Sequence, residues 1–453
     1  MLGRKIDRRW ACLAAGVLLA VAGAPAWAQA AGEVEFARGV GFAQSPGQAP
    51  RTLGKGLPLQ EGDRLTTADG ASAIVKLQDG TRMTVRPNSE IVISQYRFRE
   101  NAPDNNLLLQ MVRGGFRAVT GLISKSSPNA AKVQTSTATI GIRGTDFDAR
   151  LCTRDCGAES ARVAESARPN AVLASAKVVQ SQGEVFAVDA SSQRRRLVDG
   201  GGIYPGDVIE TGAGSRAVVA FRDQSRVTLG ASTRFRIDNF VYDEQNAGEG
   251  RFLASLLRGS VRALTGLIAR ANNRNVGFST ATATIGIRGT GFDASCPGDC
   301  TEGNLTLFAW LGSIAVTPQG QTALQVLQAG QGLFIAANGD VQPITVPPLM
   351  DGPRPDGVDV PPKLFAREDV SDAQEGLFVY VRDGHIEVAT ASGEILHLGR
   401  GEAGFAGEQG NTARPFTIPK FIDFDLVPLP NSRNPLLQGV LQDNNIRARN
   451  TCT

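Results

Sequence analysis

Four cysteines form two pairs with the same spacing, and thiols placed in this way can do chemistry. The pairs are Cys152-x3-Cys156 and Cys296-x3-Cys300. Two nearby thiols can oxidise to a disulfide or, as thiolates, bind zinc. Zinc sites commonly use a Cys-x2-Cys spacing and often a histidine, and the sequence around these cysteines has neither. We predict two local disulfides, with a zinc site built from all four cysteines as the alternative.

The two histidines, His385 and His397, are the next candidates for catalysis or metal binding. They lie in the strand-like sequences DGHIEV and ILHLG, with no Glu or His at metal-ligand spacing. We predict surface side chains that are solvated or hydrogen-bonded. No serine lies in a nucleophile-elbow sequence, and the sequence contains no phosphate-binding loop. We therefore expect no catalytic residue, no cofactor and no metal, and a protein that is not an enzyme.

Four arginines recur at matching positions in a repeated sequence and could bind an anionic partner. Arg113 and Arg117 match Arg258 and Arg262. Residues four apart on a strand share a face, so each pair predicts a basic ridge for a glycan, a lipid head group or a carboxylate. The alternative is that each arginine pairs with an acid that also recurs, such as the aspartates at 63, 79, 207 and 223. The balanced charge of the chain favours the alternative.

Residues 1–30 have the composition of an export signal. A basic start precedes an apolar run, and Ala26-Trp27-Ala28 and Ala28-Gln29-Ala30 follow as cleavage sites. The run is too short to span a membrane comfortably, so we expect cleavage after Ala28 or Ala30 and no transmembrane anchor afterwards. Cleavage removes four of 47 basic and one of 44 acidic residues, which leaves 43 of each. A neutral exported chain predicts a periplasmic or cell-surface location and no nucleic-acid partner.

The sequence TATIGIRGT occurs twice, at 137–145 and at 282–290, and Phe-Asp-Ala follows one residue later in both copies. Longer matches surround it, so the repeated unit has the size of a domain. Its glycines interrupt a β-branched run and predict a bulge or a close backbone approach. Arg143 and Arg288 lie in this apolar run, and we predict that each has a structural role, paired with a carboxylate or with backbone carbonyls.

Alternating polarity predicts the secondary structure of both units. Residues 73–77 and 83–85 alternate apolar with polar residues around Asp79-Gly80, and residues 217–221 and 227–229 repeat the pattern. Such runs joined by Asp-Gly are typical of β-hairpins. With 52 glycines in 453 residues and no convincing helical pattern, the sequence predicts an all-β protein of short strands.

The repeated box Gly-x-Arg-Gly-Thr-x-Phe, preceded by a hydrophobic hairpin and a Gly-Asp strand entry, resembles the FecR domain. Its residues are Gly141, Arg143, Gly144, Thr145 and Phe147 in the first copy, and Gly286, Arg288, Gly289, Thr290 and Phe292 in the second. The resemblance covers residues 32–149 and 177–294. It implies tandem all-β periplasmic domains of the β-solenoid or β-roll type, in which the box is a structural motif.

The name-giving members of this family are iron-uptake regulators. They join a cytoplasmic anti-sigma segment through one transmembrane helix to a periplasmic FecR domain that responds to a TonB-dependent receptor. We expect a stand-alone exported form here, without the anti-sigma segment. The resemblance then implies a non-catalytic protein of envelope signalling or organisation, whose partner is a receptor, a sensor or a surface β-barrel. The alternative is an envelope protein that binds glycan or peptidoglycan.

We divide the chain into a signal peptide (1–30), a first FecR-like domain (31–156), a linker (157–176), a second FecR-like domain with C-terminal strands (177–345), a Pro-rich linker (346–368), a β unit (369–410) and a tail (411–453). The strand pair at 377–388 and 399–407 resembles the pair that ends the second domain, and the first domain lacks such a pair. Since a missing pair would leave an open sheet edge, we predict that 377–407 completes the first domain. An independent third lobe is the alternative.

Overall fold

The computed structural model describes residues 30–126, 130–287, 289–300, 303–350 and 352–424. The expected signal peptide, Arg288, and the end of the tail with Cys452 lie outside these ranges. Strands dominate the described residues, so the all-β prediction is confirmed. The finer expectation of a solenoid or a roll stays a prediction. No helix within the described ranges has the length and apolar character needed to cross a membrane.

The first eleven strands form most of one sheet. Their bounds are β1 Ala30–Arg38, β2 Gly41–Gln44, β3 Arg51–Thr52, β4 Pro58–Gln60, β5 Arg64–Thr67, β6 Ser72–Leu77, β7 Arg82–Val85, β8 Glu90–Arg97, β9 Asn106–Val119, β10 Ala131–Gln134 and β11 Ala138–Cys152. Two short helices accompany them, α1 Leu122–Ser126 and α2 Cys156–Ala161.

The next seventeen strands form a second sheet. Their bounds are β12 Ala176–Gln182, β13 Val185–Val188, β14 Arg194–Arg196, β15 Gly202–Ile203, β16 Val208–Thr211, β17 Arg216–Phe221, β18 Arg226–Leu229, β19 Arg234–Val241, β20 Arg251–Leu264, β21 Val276–Ser279, β22 Ala283–Ile287, β23 Gly291–Asp299, β24 Leu305–Leu311, β25 Ser313–Pro318, β26 Gln325–Gln328, β27 Gln331–Ile335 and β28 Val341–Ile344. Helix α3 spans Leu267–Ala271.

Four final strands return to the first sheet. They are β29 Gly376–Thr390, β30 Ile395–Gly399, β31 Ala403–Gly407 and β32 Thr412–Ala413, followed by α4 Lys420–Asp423. Strand β29 pairs antiparallel with β11 along its whole length, from Ala138 opposite Thr390 to Cys152 opposite Gly376. Residues 376–413 therefore complete the first unit, and the second unit is inserted between β11 and β29.

The two units are built in the same way. In the second unit β22 and β23 pair with β25 and β24, as β11 pairs with β29 in the first. Most described pairings are antiparallel, and the parallel pairs β9–β10 and β20–β21 occupy equivalent positions. Each unit encloses its own apolar core, and side chains of β29, β30 and β31 belong to the core of the first. The alternation seen in the sequence thus records which face of each strand is buried.

Both predicted disulfides are confirmed. Cys152 is bonded to Cys156, and Cys296 is bonded to Cys300. The first bridge closes the segment that follows β11, and the second closes the end of β23. Because so small a loop loses little entropy on closure, a bridge of this kind stabilises by about 2 kcal/mol at most and mainly stiffens the strand end.

A variant that ends after Thr345 should lose the first unit and keep the second. Without β29, strand β11 has unpaired backbone groups along one side, and the core loses the side chains that β29 to β31 contribute. Hydrogen exchange should show lost amide protection in β11. Strand β23, whose partner β24 is retained, is the matched control. Undiminished protection of β11 would contradict the closure of the first unit by β29.

Candidate functional site

The repeated box forms a bulge that joins three strands. Gly144 and Gly289 have positive φ angles of 65° and 69°, and the register between β11 and β29 shifts between Arg143 and Asp146. Thr145 N donates to Thr120 Oγ1 at 2.8 Å, and Thr145 Oγ1 donates to the carbonyl of His385 at 2.9 Å. Thr290 makes the same two contacts, with Thr265 and Ser313. The second glycine of the box is therefore required by the turn.

The other residues of the box have simpler roles. Gly141 pairs in regular register with Glu387, and a Cβ there would meet its nearest atoms at 3.8 Å, so the bulge or close approach predicted for this glycine is wrong. A Cβ at Gly286 would likewise make only an ordinary van der Waals contact, with its nearest atom at 3.6 Å. Phe147 and Phe292 are fully buried, each in an edge-to-face aromatic contact. Arg143 Nη2 lies 3.2 Å from Glu387 Oε2 across the sheet.

The four arginines of the predicted ridge do not share one exposed face. Gly114 has a φ of 74°, and the register of β9 shifts beside it, so Arg113 is exposed near Glu90 whereas Arg117 is buried. In the second unit Arg258 is exposed and Arg262 is largely buried. The ridge is therefore a wrong prediction, because the bulge separates residues that a regular strand would place together.

The buried arginine of each unit pairs with an aspartate that sequence reasoning missed. Arg117 Nε lies 2.6 Å from Asp148 Oδ1, and Arg262 Nε lies 3.1 Å from Asp293 Oδ1. Burial lowers the pKa of Arg117 to about 10 and raises the pKa of Asp293 above its usual value. Both aspartates belong to the Phe-Asp-Ala sequence repeated after each box. That repetition was the signal that could have identified them.

A second partner completes each aspartate site. Arg382 on β29 donates from Nε to Asp148 Oδ2 at 2.8 Å. At the equivalent position of β24, Trp310 donates from its indole Nε1 to Asp293 Oδ1 at 3.1 Å. We call the two surfaces the first face (Arg117, Asp148, Arg382) and the second face (Arg262, Asp293, Trp310).

Each face is covered by a chain segment from outside the repeat. On the first face, Arg117 donates to the carbonyl of Ile422 at 3.3 Å, and Arg86 donates to that of Phe421 at 2.8 Å. On the second face, Arg262 donates to the carbonyl of Gly352 at 3.4 Å. The covering sequences, KFID and GPRPDGV, are unrelated. The two equivalent arginines therefore bind their covering segments through backbone carbonyls, although the side chains of the two segments differ.

A buried ion cluster joins the two units. Glu402 Oε2 accepts from Lys177 Nζ at 2.8 Å and from Arg414 Nε at 2.9 Å, and all three side chains are at most 1% exposed. Burial lowers the pKa of Lys177 to about 8. Burial acts to raise the pKa of Glu402, but Lys177 and Arg414 outweigh it and hold that pKa below its usual value. Lys177 begins the second unit, so this cluster sets how the inserted unit meets the first.

The histidines lie beside this junction and differ from their prediction as solvated or hydrogen-bonded side chains. Their rings stack with centroids 5.4 Å apart, and no partner is found for either ring nitrogen of His385 or for Nδ1 of His397 among the described residues. His397 packs against Gly200 of the second unit, where a Cβ would lie 2.0 Å from its ring. Burial, with nearby Lys177 and Arg143, lowers the pKa of His397 to about 4. Within the described ranges, no group of three or more His, Cys, Asp or Glu side chains is arranged to hold a metal.

Replacing Arg117 by alanine should destabilise the first unit by about 3 kcal/mol, because the fully buried Asp148 loses the buried one of its two cationic partners. Arg143→Ala is the matched control. It removes a pair whose side chains are 19% and 28% exposed, and should cost about 1 kcal/mol or less. Denaturant unfolding of the full chain measures both. Equal losses would show that burial does not distinguish the two arginines.

Acidification should destabilise the protein through the histidines. His397 has a folded-state pKa of about 4 against 6.5 for an ordinary histidine, so the unfolded chain binds the proton first as the pH falls. The contribution of the neutral His397 ring to the free energy of unfolding is therefore fully present above pH 6.5, and it is lost as the pH falls from about 6.5 to 4. The unfolding temperature should therefore fall between pH 7 and pH 4.5, and it should fall less in His397→Gln. An identical decrease in both proteins would exclude His397 as the cause.

Comparison with known proteins identifies the repeated units. The family model described as FecR protein matches residues 63–167 and 207–306. None of the curated proteins matches the chain. Two crystal structures of a candidate anti-sigma factor from Parabacteroides distasonis ATCC 8503, at 1.65 and 2.50 Å resolution, are 17% identical, with a TM-score of 0.25. The match covers 31% of this chain and 60% of each structure, and a likeness of this size carries no argument about function. The two family matches coincide with the two copies of the box and its Arg–Asp pair, and the protein therefore contains two FecR regions in tandem.

Proposed function

We propose that the protein is a non-catalytic, exported FecR protein that acts in the periplasm through protein–protein contacts, in envelope signalling or organisation. The observation that carries this proposal is the covering of both faces by polypeptide. Arg117 and Arg262 occupy equivalent positions, and each donates to a backbone carbonyl of a different segment. A surface that holds two unrelated sequences through their backbone suits a protein that recognises other polypeptides.

The chemistry of the faces supports this role. Each presents a guanidinium whose charge is matched by a buried aspartate, so its remaining N–H groups are oriented toward the covering chain. Charge-assisted hydrogen bonds to carbonyls are stronger than neutral ones. The resemblance to the FecR domain implies a role in envelope signalling, and the two disulfides suit an oxidising compartment.

A glycan-binding role is the second candidate, and one surface favours it. Arg234, Arg236 and Arg258 are exposed around a shallow depression on the second unit. Glu210 pairs with Arg234 at 3.1 Å, and Asp238 pairs with Arg236. An anionic or polyhydroxyl glycan could exchange with these partly exposed acids, because surface ion pairs contribute little stability.

Cross-linking in cells, followed by purification of the protein from the periplasm, tests the proposal. We expect an envelope receptor, sensor or β-barrel to be captured, and we expect Trp310→Ala to reduce that capture. Arg258→Ala is the matched control on the depression and should leave it unchanged. Co-sedimentation with purified peptidoglycan that is lost in Arg258→Ala, with no captured protein, would overturn the proposal in favour of glycan binding.

A further inference from the structure

The second face differs from the first in how its aspartate is satisfied. In the first unit Arg382 supplies a second cation to Asp148 from within the sheet. In the second unit Trp310 occupies that position, and the guanidinium of Arg354 lies over its ring at 4.2 Å. The cation thus comes from the covering segment, and the aromatic ring provides a flat platform for it.

The covering segment is bound mainly through its carbonyls. Arg226 donates to the carbonyls of Val358 at 2.9 Å and Pro355 at 3.3 Å, and Thr228 Oγ1 donates to that of Pro353 at 2.9 Å. The matching threonine of the first unit, Thr84, has a buried hydroxyl for which no partner is found among the described residues. The threonine of the second face therefore makes a hydrogen bond to its covering segment, and the matching threonine of the first face does not.

The conformation of the segment explains why proline suits it. Arg354 has φ −67° and ψ 135°, which is the polyproline II region. A chain in this conformation makes no internal hydrogen bonds, so its carbonyls are free to accept from the face. Flanking prolines restrict the free peptide to the same region and lower the entropy lost on binding.

The two covers differ in how firmly they are held. Phe421 and Ile422 of the first cover are at most 2% exposed and pack in an apolar cluster with Phe378 and Phe405. Burial of such side chains contributes about 1.5–3 kcal/mol each. On the second face Pro355 is buried, whereas Arg354, Asp356 and Gly357 are exposed. The second cover can therefore leave its face without opening a core.

We propose that the second face is a binding site for an extended partner peptide of the type Pro-Arg-Pro, and that residues 352–358 occupy it in the absence of that partner. The arginine of the peptide stacks on Trp310 near Asp293, and its backbone carbonyls accept from Arg226, Thr228 and Arg262. This inference rests on the proposed function, since it names the chemistry of the protein partner.

Binding of a fluorescent peptide, Gly-Pro-Arg-Pro-Asp-Gly-Val, to the full chain tests the proposal by anisotropy. A tethered competitor has an effective concentration of the order of mM, so a segment whose own Kd is about 0.1 mM weakens binding of the free peptide about tenfold. The combined variant Pro353→Ser, Arg354→Ser and Pro355→Ser should therefore bind the peptide about tenfold tighter than the unmodified chain. The matched control, Pro347→Ser, Pro348→Ser and Leu349→Ser, alters the same connector outside the face and should show no gain.

Two further measurements identify the site. Adding Trp310→Ala to the combined variant should abolish binding, and a peptide with glutamate in place of arginine should not bind. If the combined variant does not fold, Arg354→Ala alone removes an exposed side chain, and it should also bind the peptide more tightly than the unmodified chain. Equal affinity in the covered and uncovered chains, or binding that survives Trp310→Ala, would overturn the proposal.

The outcomes separate this inference from the function on which it rests. Trp310-dependent peptide binding that strengthens in the uncovered chain, without a captured envelope protein, would support the site and contradict the proposed function. Capture of an envelope protein by a chain whose second face does not bind the peptide would support the function and contradict the site.

Discussion

The pairing of β11 with β29 is the contact on which the rest of the structure depends. It joins thirteen residue pairs across an inserted unit of the same construction. The pairing satisfies the backbone of β11, brings the side chains of β29 and β30 into the first core, and places Arg382 beside Asp148. Without it, the first unit has neither a closed sheet nor a complete face.

Because the second unit is inserted into the first, the two units share a junction that two units joined end to end would not need. The second unit leaves the first after α2 and returns before β29, so it is tethered at both ends. Lys177, Glu402 and Arg414 are desolvated there, and burial of charge is costly unless the pairing is complete. In this cluster Arg414 and Lys177 pair with Glu402 Oε2 and also donate to the carbonyl of His397, whereas no partner is found for Glu402 Oε1 among the described residues. Such a contact tolerates few alternative orientations of the two units.

The two faces have the same strand arrangement but bind their covering segments with different strength. Both retain a buried Arg–Asp pair, and in both the arginine donates to the backbone of a chain segment. The first cover is fixed by Phe421 and Ile422, so that face acts as part of the fold. The second cover depends on hydrogen bonds and one cation–π contact, so that face has the lower barrier to exchange.

The sequence by itself determined the features that rest on local interactions. Alternation records which side of a strand is buried, a positive φ at Gly144 and Gly289 requires glycine, and cysteines four residues apart can form a disulfide wherever the chain turns between them. The return of 377–407 to the first unit could also be inferred, because an open sheet edge leaves backbone groups unpaired. The partners of Arg117 and Arg262, the cluster at Lys177 and the stacking of His385 on His397 were decided by the tertiary structure. Each depends on side chains brought together by strand pairing or by the docking of two units. Neither strand pairing between distant segments nor docking of units produces a periodic pattern in the sequence. In addition, the single bulge at Gly114 separates Arg113 from Arg117, which their spacing would place on one face of a regular strand.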